Sequence, residues 1–75
     1  MNANKALYLS IKKAVEARGL TYEALADQIG YSLYSIKKFM YFLRLGKNGS
    51  RFVKMAIFAH FGGKILEEVQ ANEAD

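Results

Sequence analysis

Residues 21–41, T-Y-E-A-L-A-D-Q-I-G-Y-S-L-Y-S-I-K-K-F-M-Y, constrain the fold of this chain more than any other stretch. They read as two short helices joined by a tight turn. Leu25, Ala26 and Ile29 form one apolar stripe and Ile36, Phe39 and Met40 another, with the i+3 and i+4 spacing of helix faces turned toward a core. Gly30 stands between the stripes, where the backbone must turn sharply, and without a Cβ it takes positive φ at little cost. Thr21 and Ser32 stand just ahead of the two helices, where a hydroxyl accepts a hydrogen bond from a free backbone N–H.

This constellation resembles the helix-turn-helix of the Cro and lambda-repressor-like family, often called XRE. The match is positional: Ala26 falls where the helices approach most closely, Gly30 lies four residues on in the turn, Ile36 six further and Phe39 three more. The run I-G-Y-S-L-Y-S-I-K-K-F is similar to a member of that family almost residue by residue. The resemblance covers roughly residues 5–69 and implies an all-α fold, a compact bundle of about five short helices with a lambda-repressor-like DNA-binding domain.

The whole length, residues 1–75, is expected to form one domain, at the small end of what a single core holds together. With 52% hydrophobic residues, 13% aromatic residues and no proline, the composition favours a helical bundle over disorder. There is no cysteine, so neither a disulfide framework nor a thiolate metal site is available. No apolar run approaches the roughly 18 to 20 residues of a membrane span, and Met1-Asn2-Ala3-Asn4 lacks the apolar region of a signal peptide. A cytoplasmic protein without a membrane partner is the expectation.

Charge is distributed unevenly. The net charge is +4, and no acidic residue occurs between Asp27 and Glu67, whereas Lys37, Lys38, Arg44, Lys47, Arg51, Lys54 and Lys64 all fall in that interval. Glu67, Glu68, Glu73 and Asp75 follow as an acidic tail. Such asymmetry suits a domain that lays one side on a phosphate backbone, although some small domains are basic without any such partner.

Outside the central stretch, residues 3–18 read as a first helix with Leu7, Ile11, Ala14 and Val15 on its inner face, ended by Gly19. Residues 22–29 form the second helix, and the third runs from 33 to about 42, or as far as Leu45. Gly46-Lys47-Asn48-Gly49 is a polar loop, and Ser50 caps a fourth helix, Arg51 to Phe61, whose Val53, Ala56, Ile57 and Phe61 close the core. Phe52, Phe58 and Phe61 read most simply as core, with any surplus available to a dimer interface. After Gly62-Gly63, the residues Ile65, Leu66 and Val69 support a short fifth helix, and residues 71–75 are expected to fray.

The resemblance implies that the third helix enters the major groove, with residues near its N-terminus meeting base edges. Carried over by position, those residues are Ser32, Leu33, Tyr34, Lys37 and Lys38. Either lysine reaches guanine O6/N7 or a phosphate oxygen, and Tyr34 and Tyr41 share the outward face of Lys38, where a phenol packs on sugar and donates to phosphate. Leu33 departs from the family pattern, which usually has a long polar side chain there; leucine offers only apolar contact, as with a thymine methyl. Tyr22 departs too, standing where the family often has a phosphate-binding glutamine, a role its hydroxyl can take over. Lys47, Asn48, Ser50 and Arg51 would clamp phosphate through two cations and the free N–H groups at the start of the fourth helix. Arg44, Lys54, Lys12 and Lys13 read as bystanders.

No catalytic or metal site and no cofactor is expected. His60 is the sole histidine, without a cysteine or second histidine beside it, and G-K-N-G-S lacks the spacing of the nucleotide-hydrolase phosphate loop. The expected function is a sequence-specific double-stranded DNA-binding transcriptional regulator of the Cro or repressor type, from a phage or mobile element. It is expected to act as a homodimer on a palindrome, through Ile65, Leu66, Val69 and surplus aromatics of the fourth helix. The alternative is a protein-interaction module, like an antirepressor or anti-CRISPR protein, in which Leu33, Tyr34 and Tyr41 anchor in a partner's pocket.

Overall fold

Four polar side chains set where the helices begin. In the computed structural model, which describes residues 2–62 and Ile65, the helices are α1 (Ala3–Ala17), α2 (Tyr22–Ile29), α3 (Leu33–Arg44) and α4 (Arg51–Phe61). The Asn2 side chain accepts from Asn4 N–H at 2.8 Å and Lys5 N–H at 3.2 Å. Thr21 Oγ1 accepts from Ala24 N–H at 3.0 Å, Ser32 Oγ from Ser35 N–H at 3.1 Å and Ser50 Oγ from Val53 N–H at 3.3 Å. Each such cap satisfies an N–H that the helix itself leaves without a partner, a contribution of about 1 kcal/mol.

The helix ends are equally legible. After α1, Leu20 N–H bonds the Val15 carbonyl and Gly19 N–H the Glu16 carbonyl, each at 3.0 Å. After α3 the same pair recurs at 2.9 Å, from Lys47 N–H to Phe42 and from Gly46 N–H to Leu43. Both sets require a left-handed residue, which Gly19 and Gly46 supply at φ 64° and 80°. Gly30, at φ 79°, turns the chain between α2 and α3 and lets Tyr31 N–H reach back to Ala26 at 3.0 Å.

Both α1 and α2 pack on α3, and α4 closes against α2 and α3. The core collects Leu7, Ile11 and Val15 from α1, Leu25 and Ala26 from α2, Ile36, Phe39, Met40 and Leu43 from α3, and Val53, Ile57 and Phe61 from α4. Ile29 and Ala14, expected inside, are half-buried against this cluster. Ser10 is buried on α1 and donates to the Ala6 carbonyl at 3.0 Å. Ile65 is buried as well; the rest of the expected fifth helix, with Leu66 and Val69, and the tail lie outside the described residues.

One reading of the fourth helix needs correction. Phe52, grouped with Phe58 and Phe61 as core, is 66% exposed, while Phe61 is buried and Phe58 half-buried. The helical period decides this: Val53, Ile57 and Phe61 follow at i, i+4, i+8 along the inner face, which turns Phe52 and Met55 to the opposite side. Met55 is 61% exposed there.

The α3–α4 loop is held from two directions. Asn4 Nδ2 donates to Asn48 Oδ1 at 3.0 Å, tying the loop to the start of α1, and Gly49 lies against the buried Phe39 ring. A Cβ on Gly49 would stand 2.5 Å from Phe39 Cδ1, too close for real atoms. Gly49→Ala is therefore expected to destabilise the fold by about 1–3 kcal/mol, as overpacking does. Urea unfolding checks this, and a midpoint equal to that of the parent chain would show that the loop moves aside freely.

Candidate nucleic-acid interface

Burying Ile36, Phe39, Met40 and Leu43 leaves α3 with a single outward face. On it stand Tyr34, Lys37, Lys38, Tyr41 and Arg44, all exposed, with Tyr34 at 72% and Tyr41 at 51%. The spacing i, i+3, i+4, i+7 from Tyr34 joins Lys37, Lys38 and Tyr41 into one stripe because successive turns stack. No acidic residue occurs in α3 or α4.

Cations lie over aromatic rings along this face. Lys38 Nζ is 6.0 Å from the Tyr34 ring centre and 5.9 Å from that of Phe42, and the Arg44 guanidinium carbon is 5.6 Å from that of Tyr41. Such contacts stabilise by about 0.5–1 kcal/mol when exposed and hold the charged groups near the surface of α3.

A cleft opens on each side of α3. The first, of about 270 Å³, is lined by Tyr8, Tyr22, Lys37, Met40, Tyr41 and Arg44. The second, of about 230 Å³, lies toward α4 and is lined by Tyr31, Tyr34, Ser35, Lys38, Phe39, Phe42, Ser50 and Val53. Consecutive lysines thus serve opposite sides: Lys37 borders one cleft and Lys38 the other.

Tyr22 is half-buried at the start of α2. Burial, with smaller contributions from Tyr8 and Glu16, raises its pKa above the ordinary phenol value. Its hydroxyl is therefore protonated at neutral pH and able to donate to an anion. Tyr8 and Arg44 line the same cleft although neither was singled out in the sequence. Tyr8 was hidden because it flanks the apolar stripe of α1, whose neighbours only tertiary packing supplies. Arg44 was read as a bystander, yet it lies about two helical turns beyond Lys37 and borders the same cleft.

The remaining sequence-derived positions separate into groups. Ser32 is exposed at the N-cap of α3, where it also donates to Ser35 Oγ at 3.0 Å. Leu33 is half-buried and lines a wide depression with Thr21, Glu23, Ala24, Ala26, Asp27 and Tyr31. It stands one helical turn before Lys37, at the edge of the basic stripe that borders this depression. Lys47, Asn48, Ser50 and Arg51 are exposed, with Asn48 engaged by Asn4 and Ser50 by the first turn of α4. Arg51 lies 5.8 Å from the Phe52 ring centre.

His60 is exposed and stacks edge-on against Phe61, with ring centres 5.2 Å apart. Among the described residues no three His, Cys, Asp or Glu side chains gather to hold a metal ion, and no helix is long and apolar enough to cross a membrane. Comparison of the chain with protein-family models, with curated proteins and with solved structures returned no match.

Proposed function

We propose that this chain is a sequence-specific double-stranded DNA-binding transcriptional regulator of the Cro or lambda-repressor type, with α2, the Gly30 turn and α3 as its helix-turn-helix. The observation that carries the reading is the outward face of α3, where Tyr34, Lys37, Lys38, Tyr41 and Arg44 stand exposed on a helix whose other face is core. A helix fixed by its buried side presents base-reading groups at low entropic cost. Lys37 and Lys38 take base edges or phosphates, and the Tyr22 hydroxyl, with Lys47 and Arg51 beyond the far end of α3, takes the flanking backbone. Asn48 and Ser50 support that loop through their bonds to Asn4 and Val53 N–H. The protein, from a phage or mobile element, acts in the cytoplasm as a homodimer whose half-sites lie about 34 Å apart or a multiple of it.

A second reading, a module that binds another protein, draws on the exposure of Tyr34, since aromatic side chains are favoured anchors in partner pockets. Leu33 supports it less, being half-buried. Substitution separates the two. In the DNA reading Lys37→Ala and Lys38→Ala each weaken duplex binding by about 1–3 kcal/mol if they meet base edges, and Leu33→Ala acts weakly. Gel-shift titration checks this; no duplex binding by the parent chain, or lysine variants that bind the duplex as the parent does, would count against the DNA reading and favour the protein partner.

A further inference from the structure

The features of α3 that the bases of a duplex leave unused are its aromatic faces. Base pairs in a double helix expose edges in the groove and keep their flat faces stacked, so a duplex offers no free base face to Tyr34 or Tyr41. Both rings are nonetheless largely open to solvent, at 72% and 51%. Each has a cation over it, Lys38 at 6.0 Å from the Tyr34 centre and Arg44 at 5.6 Å from the Tyr41 centre. Each also borders one of the two clefts that flank the helix.

We propose that the outward face of α3 also binds single-stranded nucleic acid, with unpaired bases stacking on Tyr34 and Tyr41 on either side of the Lys37–Lys38 ridge. Three observations converge on this occupant. The ridge between the clefts carries cations and no carboxylate, which suits a backbone crossing it. The clefts are lined by rings, Tyr8, Tyr22 and Tyr41 on one side and Tyr31, Tyr34 and Phe42 on the other, and every base has a π-face to lay on them. The second cleft adds the Ser35 and Ser50 hydroxyls within its lining, polar groups suited to the edge of a base. Tyr34 and Tyr41 stand seven residues apart along one stripe of α3, about 10 Å at about 1.5 Å per residue, so one strand running along the helix past the two lysines reaches both rings. This interface shares residues with the duplex-binding face and does not depend on duplex binding.

The test uses the full chain and labelled strands. Oligothymidylate of about 12 nucleotides is compared by fluorescence anisotropy with an abasic strand of equal length, which has the same charge and no bases. The base-bearing strand is expected to bind at least about 10-fold more tightly, and Tyr34→Ala and Tyr41→Ala are each expected to reduce its affinity by roughly 5- to 150-fold. Both tyrosines are exposed, so these substitutions leave the core in place. Oligouridylate, run in parallel, tells whether the strand taken is DNA or RNA. Equal affinity for the abasic strand, or tyrosine variants that bind oligothymidylate as the parent does, would overturn the proposal. Salt-sensitive duplex binding without a base-dependent single-strand component would sink this inference alone. Base-dependent single-strand binding without duplex binding would support it and sink the duplex reading instead.

Discussion

Binding to a mixed-sequence duplex is expected to weaken by about 500-fold between about 50 and about 200 mM salt, a log–log slope near −4.5. The slope follows from one phosphate for each of Lys37, Lys38, Arg44, Lys47 and Arg51, with about 0.9 counterion released per phosphate. Removing two of those cations makes the prediction sharper. For the Lys37→Ala/Lys38→Ala double variant the slope should flatten to about −2.7 and the loss over the same range to about 40-fold. Fluorescence anisotropy across a salt series measures both slopes. A slope near zero, or one indifferent to the two lysines, would show that the basic stripe of α3 meets something other than phosphate.

Phe39→Ala is expected to have the largest effect on stability. The ring is buried at 2% exposure, and it supports both the centre of α3 and the loop at Gly49. Truncating such a ring costs about 3–5 kcal/mol, against a total stability of about 4–11 kcal/mol for a chain of this size. The midpoint of thermal unfolding should fall by about 15–30 °C, as read by circular dichroism. A double variant with Gly49→Ala gives a second check. Once the ring is gone the added methyl has room, so the two changes should combine to less than their sum. Additive losses, or a midpoint within a few degrees of the parent, would mean that Phe39 and Gly49 do not share one packed site.

The helix boundaries were legible because they depend on near neighbours. Thr21, Ser32 and Ser50 cap through bonds spanning three residues, and Gly19, Gly30 and Gly46 turn the chain through their own backbone torsions. The outward face of α3 was legible for a related reason, since once Ile36, Phe39 and Met40 are buried the period of 3.6 residues places Tyr34, Lys38 and Tyr41 opposite. Phe52 shows the cost of grouping residues by type instead: the period that sets Val53, Ile57 and Phe61 inward turns Phe52 out, although all three phenylalanines of α4 were read as core.

Sequence alone therefore determined an all-helical chain, the starts and stops of its helices and the basic, aromatic stripe along α3, because each of these rests on residues within one or two turns of one another. Tertiary structure decided the rest. It brought Tyr8 of α1 to Tyr22 and Arg44, set Leu33 at the rim of a depression shared with Glu23 and Asp27, and pressed Gly49 onto the Phe39 ring. Those juxtapositions join residues far apart along the chain, and only the packing of α1, α2 and α4 around α3 sets how close they come.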